Sequence, residues 1–172
     1  MEIVKVNIKS YLKFSLSIIV LAIILYFLFD FFGLSYFNHN LQRGDIIHSR
    51  NPSILYSLEI IKNNTINFFQ YFFLFPLSPL LIFIDLTITI YQLWVSIHLR
   101  GLVPTFLLLY KHAFIEFPNM LLYMYLSWVN MIILFKSFNL KNVFFSIKKN
   151  IKLYLLCIIN ILIAGLIEGA LN

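Results

Sequence analysis

Three side chains with chemical potential stand inside stretches that otherwise read as lipid-soluble. Glu116 follows His112 by four residues in Lys111-His112-Ala113-Phe114-Ile115-Glu116-Phe117-Pro118, and Glu168 stands near the end of Ile163-Ala164-Gly165-Leu166-Ile167-Glu168-Gly169. A four-residue step puts His112 and Glu116 on one face of a helix, where they can share a proton or one metal ion. An ionised group within a bilayer costs roughly 2.5–3.5 kcal/mol even on permissive insertion scales, so an intramembrane carboxylate is read first as functional. With Glu168 the set becomes two carboxylates and an imidazole. Such a set can hold a divalent metal such as zinc with one position left open. It can equally form a general acid/base pair whose proton affinities are driven apart by burial. Hydrogen-bonded contact between helices is the third reading, and the residues alone leave the three level. The set is not a zinc-protease motif, because the second histidine one turn away is missing. The chain has no Gly-rich phosphate loop and no serine in a nucleophile elbow, which excludes ATP hydrolysis and α/β-hydrolase chemistry.

The elements that carry these residues must be membrane helices. The chain has 172 residues, of which 61% are hydrophobic and 12% charged, with a mean hydropathy of +0.89. A soluble domain carries about 25% charged residues. The apolar runs are continuous rather than alternating, which favours helices over a transmembrane barrel. The expected fold is all-α, a single polytopic membrane domain with spans at about 12–32, 58–77, 79–98, 112–135 and 151–171. Pro76 and Pro79 break the long run from Leu58 to Ile97 and predict a helical hairpin. Leu102 to Tyr110 is too short to cross and reads as a re-entrant or interfacial segment. Leu34 to Ser57 reads as a polar loop, and Lys136 to Asn150 as a basic one. Cys157 is the single cysteine, so no intrachain disulfide is implied.

Charge sets the expected orientation. Lys5, Lys9, Lys13, Lys136, Lys141, Lys148, Lys149 and Lys152 share one side of a five-span arrangement, eight basic residues against Arg43, Arg50, Lys62, Arg100 and Lys111 on the other. The positive-inside rule then puts the N-terminus in the cytoplasm and the C-terminus outside a bacterial plasma membrane. The net charge of +6 is explained by topology and is no sign of nucleic acid.

Polar residues recur at helical spacing on four of the spans. His112, Glu116, Asn119, Tyr123, Ser127 and Asn130 share a face, as do Asp85, Thr89, Gln92, Ser96 and Arg100. Cys157, Asn160, Ala164 and Glu168 form a third such face, and Asn63, Asn67 and Gln70 a fourth. Lipid satisfies none of these groups, so the faces must point at one another or into a wet cavity. The orientation brings His112, Glu116 and Glu168 to a similar depth near the outer surface, with Asn63 and Asn67 in the same layer and Asn119 and Asn160 in support. The small residues around Glu168 would let a neighbouring helix come close. His98 lies off the polar face of its span and reads as interfacial.

The two carboxylate motifs resemble a known family. His112-Ala113-Phe114-Ile115-Glu116-Phe117-Pro118 is similar to the His-Gly-x-x-Glu-x-Pro signature of the stage II sporulation protein M family, with Ala113 in place of the usual glycine. Ile163 to Gly169 resembles the family's closing Ala-Ala-x-Ile-Glu-x segment, and the Asn63-Asn64 pair resembles a further feature of it. The divergence and short length resemble the branch found in gene clusters for circular bacteriocins. That resemblance implies a membrane maturation factor acting in leader removal, head-to-tail cyclisation or export of a hydrophobic peptide precursor, beside a membrane-associated ATPase. It implies His112, Glu116 and Glu168 as the catalytic set, with Glu116 as base or metal ligand, His112 as ligand or proton shuttle and Glu168 as the second acid. A transport or immunity component, or a sporulation-type complex subunit, is the alternative reading.

Overall fold

The computed structural model describes residues 6–40 and 54–171, with side chains described except at 34–40, 56, 108, 110–114 and 168–171. Among the described residues the chain is entirely helical. Helix α1 covers Ile8–Asn40, α2 covers Ile54–Phe73, α3 covers Ser78–Arg100, α4 covers Leu102–Ser137, α5 covers Leu140–Lys149 and α6 covers Ile151–Leu171. One 3-10 turn, Phe75–Leu77, links α2 to α3.

The breaks fall where the backbone chemistry requires them. Pro76 and Pro79 cannot continue the α2 hydrogen-bond ladder, and the Ser78 hydroxyl donates to the Phe75 carbonyl at 2.7 Å to lock the turn. Gly101 separates α3 from α4 with φ of 88°, a conformation glycine adopts without steric cost. The Ser96 and Thr105 hydroxyls, 3.1 Å apart, clip the two helices together across it. Asn139 caps α5, its side chain accepting from the Lys141 N–H at 2.9 Å.

Helix α4 is the centre of the bundle. On one side it packs against α2 and α6, which also pack closely on each other, and on the other side against α3 and α1. The expected hairpin is therefore realised only at its turn, because α4 lies between the two arms and α2 and α3 do not pack along their lengths. Two further expectations change. The segment 102–110 is not separate from the helix that follows: it forms the first turns of the 36-residue α4, because Gly101 breaks the chain before it and neither Lys111 nor Pro118 breaks it after. The basic segment after Lys136 is not a loop but the amphipathic α5, which buries Val143 and Ser146 on the bundle and is bent by 65° from α6. Of the expected polar loop, 34–40 continues α1 and 54–57 opens α2, while 41–53 lies outside the described residues.

Among the described residues, three helical stretches are long and apolar enough to cross a membrane: Ile8–Gly33, Phe75–Arg100 and Ile115–Ser137. The bent pair of α5 and α6 makes a fourth if it counts as one span. Helix α2 is not among them, since Glu59, Lys62, Asn63, Asn64 and Asn67 interrupt its apolar run. Large apolar side chains such as Leu16, Phe31, Phe83 and Leu107 are left uncovered by protein, as a lipid-facing surface requires.

Glycine sets the tightest approach in the bundle. A Cβ on Gly165 would collide with Cγ1 of Ile61, so α6 sits against α2 as closely as a missing side chain permits. Overpacking at such a contact costs about 1–3 kcal/mol. We therefore expect Gly165→Ala to lower stability by that amount in a detergent unfolding titration. Ile61→Ala in the same chain should recover part of the loss.

Candidate functional site

The polar face of α4 turns inward from Glu116 to Asn130, as its spacing predicts. Asn119, Ser127 and Asn130 are each no more than 4% exposed. Each finds a partner on a neighbouring helix. The Asn119 amide donates to the Cys157 carbonyl of α6 at 3.1 Å, and the Asn160 amide reaches the Asn119 side-chain oxygen at 3.4 Å. The Ser127 hydroxyl donates to the Tyr71 carbonyl of α2 at 2.8 Å, and Asn130 to the Tyr154 hydroxyl of α6 at 2.7 Å. Glu116 closes the series, accepting from the Asn64 amide of α2 at 2.6 Å.

These groups surround a cavity of about 350 Å³. Its polar wall consists of Asn64 and Asn67 from α2, Thr89 and Gln92 from α3, Glu116, Asn119 and Tyr123 from α4, and Asn160 from α6. Leu109, Phe117, Met120, Ile161 and Ala164 complete the lining. All four polar faces read from the sequence thus contribute to one space. Beside it runs an apolar groove of about 710 Å³ between α1, α3 and α4, lined by residues that include Ile19, Ile23, Tyr26, Leu93 and Phe106. Thr89, Gln92, Leu109 and Phe117 line both, so cavity and groove share a wall.

The structure brings Glu116, Asn67, Asn119 and Asn160 together around this cavity. Asn63 is exposed and takes no part in the lining, and Asn64 lines the cavity instead. The reason is helical register. The inward face of α2 runs through Ser57, Ile61, Asn64, Phe68 and Tyr71 in steps of four, three, four and three. That apolar period was the signal for Asn64. His112 precedes Glu116 by one turn on α4, and Glu168 follows Ala164 by one turn on α6; both side chains lie outside those described.

Among the described residues no three His, Cys, Asp or Glu side chains gather to hold a metal ion. The described donors near Glu116 are amides and hydroxyls, which suit hydrogen-bonding groups rather than zinc, whose ligands are imidazole, thiolate and carboxylate.

A second polar cluster was not foreseen. His98 approaches the Asp30 carboxylate at 3.5 Å and places Nδ1 2.9 Å from the Trp94 carbonyl, while the Trp94 indole N–H donates to Asp30 at 3.3 Å. It ties α1 to α3, where Gly33 leaves room for the Trp94 ring. His98 is off the polar face as expected, but its partner lies on another helix and no spacing rule reveals it.

No family model matches this chain, and neither a curated protein nor a solved structure matches it. The resemblance to the sporulation family thus rests on its two motifs and the Asn63-Asn64 pair.

Truncating an inward amide should cost what membrane hydrogen bonds cost, about 0.6 kcal/mol on average and up to about 1.7. We expect Asn119→Ala, which removes bonds to both Cys157 and Asn160, to reach the upper part of that range in a denaturing-detergent titration. Asn63→Ala should leave the unfolding midpoint unchanged.

Proposed function

We propose that this protein is a membrane factor that binds a hydrophobic peptide, with the backbone of the peptide at the cavity around Glu116 and its apolar side chains in the adjoining groove. The observation that carries this reading is the shared wall. A peptide segment has amide groups that need partners and side chains that need apolar cover, and the site offers both within one continuous space. Asn64, Asn67, Gln92, Asn119 and Asn160 can each donate to a carbonyl and accept from an N–H. Glu116 offers the one carboxyl group in the described lining, suited to an N–H or an ammonium.

The two motifs that resemble the sporulation family extend the proposal to a process: maturation of a circular bacteriocin by leader removal, cyclisation or export. In that reading Glu116 takes a proton or orients the reacting amide, and His112 and Glu168, one turn away on their helices, complete the acid/base set. A partner ATPase would supply the energy that this chain has no motif to harvest. The proposal includes five spans, with α2 crossing as the polar wall of the site rather than as a lipid-facing helix. It also places the lysine-rich end in the cytoplasm and the C-terminus outside. A proton-relaying transport or immunity role is a second reading, favoured by the amide-bound carboxylate of Glu116 within the bundle.

Glu116→Gln preserves shape and can still accept from Asn64, but it removes the charge and the proton-transfer step. In cells carrying the peptide precursor, we expect Glu116→Gln and Glu168→Gln each to abolish the mature circular peptide in a mass-spectrometric assay at wild-type levels of membrane protein. Full maturation by both variants would remove the catalytic assignment. Topology is checked separately: reporters fused after Asn172 and inserted at Asn150 should report opposite sides, and the same side for both would exclude five spans.

A further inference from the structure

A second groove, away from the Glu116 cavity, carries its own ligand signature. It measures about 600 Å³ and lies between α1, α3 and α4, walled by Ile18, Leu21, Ile82, Phe83 and Trp128. Two lysines, Lys13 and Lys136, also line it, and both are exposed. Lys136 stands at the end of the Ile115–Ser137 stretch, where an apolar span meets the headgroup region. The segments that carry the two lysines hold no acid, from Val6 to Phe29 and from Phe117 to Ile167, and Asp85 of α3 is not in the lining. Lys141, Lys148, Lys149 and Lys152 follow Lys136 in sequence, all of them exposed. An apolar trough joined to a pair of ammonium groups at a membrane boundary matches an amphiphile with an anionic head.

We infer that this groove binds an anionic phospholipid, its phosphate held between Lys13 and Lys136 and an acyl chain laid along Ile18, Leu21, Ile82 and Trp128. The two lysines would make the site selective for net-negative headgroups over zwitterionic ones. The bound lipid would cover the side of the bundle where α1 crosses α3 and α4, and so fasten α1 to the rest.

The groove contains its own reporter. The chain has two tryptophans, and Trp94 is buried elsewhere, so Trp94→Phe leaves Trp128 as the single emitter. The full-length Trp94→Phe protein is placed in phosphatidylcholine nanodiscs, and phosphatidylglycerol or phosphatidylcholine with brominated acyl chains is titrated in. Brominated phosphatidylglycerol should quench Trp128 at a mole fraction lower by on the order of 30-fold, from two lysines at about 1 kcal/mol each near the surface. Lys13→Gln with Lys136→Gln should abolish that preference. Lys141→Gln with Lys149→Gln, an equal loss of charge outside the groove, should keep it. Inorganic phosphate should not compete, since the acyl chain is half of the ligand. Equal quenching by the two lipids would overturn the inference. So would a preference that survives the loss of Lys13 and Lys136, or one lost equally in the Lys141 and Lys149 variant.

Discussion

A polar side chain inside a lipid-facing bundle must find its partner within the protein, and the architecture follows from that single demand. Helix α4 carries five such side chains on its inward face, from Glu116 to Asn130. Each is inserted between helices rather than directed at lipid. That is why α4, the longest helix, stands at the centre with α2 and α6 on one side and α1 and α3 on the other. Apolar contact alone would not select this order, because lipid chains are as good a partner as leucine. The hydrogen bonds from Asn119 to Cys157, Ser127 to Tyr71 and Asn130 to Tyr154 fix which helices adjoin α4 and at what register.

The same demand leaves a cavity where the partners do not close completely. At the level of Ser127 and Asn130 the aromatic rings of Phe68, Tyr71 and Tyr154 fill the space between the helices. Nearer Glu116 the lining changes to asparagine, threonine and glutamine, whose short side chains reach each other only in part, and a space of about 350 Å³ remains. Ala164 lines this space while the neighbouring Gly165 presses on Ile61. The separation of α2 and α6 is thus coupled to the width of the cavity. Packing and function meet at that pair of small residues: a larger one at 165 would displace the wall that holds Asn64 in reach of Glu116.

Much of this was legible because membrane helices give polar residues so few places to go. Spacing alone placed Asn119, Ser127 and Asn130 on one inward face and directed Thr89, Gln92 and Asn160 to the same space. What spacing could not provide was phase on a helix with mixed polarity. On α2 the adjacent Asn63 and Asn64 differ by 100° of rotation, and only the apolar partners Ile61, Phe68 and Tyr71 decide between them. Continuity is hidden at the start of α4 for a related reason. Hydropathy ends where charge begins, at Lys111, whereas the helix runs on through it from Leu102 to Ser137. The Asp30, Trp94 and His98 cluster was invisible because it joins residues 64 and 68 positions apart in sequence.

In the proposed function the Glu116 cavity and its neighbouring groove form one binding site for a hydrophobic peptide. Gln92 belongs to the wall that the two share, and Phe144 stands exposed on α5 outside both. A photoreactive amino acid at each position, in the full-length protein in nanodiscs with a fluorescent apolar peptide of about 20 residues, tests the claim directly. The account predicts a covalent adduct from position 92 that an unlabelled copy of the peptide suppresses, and none above background from position 144. Equal labelling from both positions, or labelling from position 92 that unlabelled peptide leaves unchanged, would contradict it.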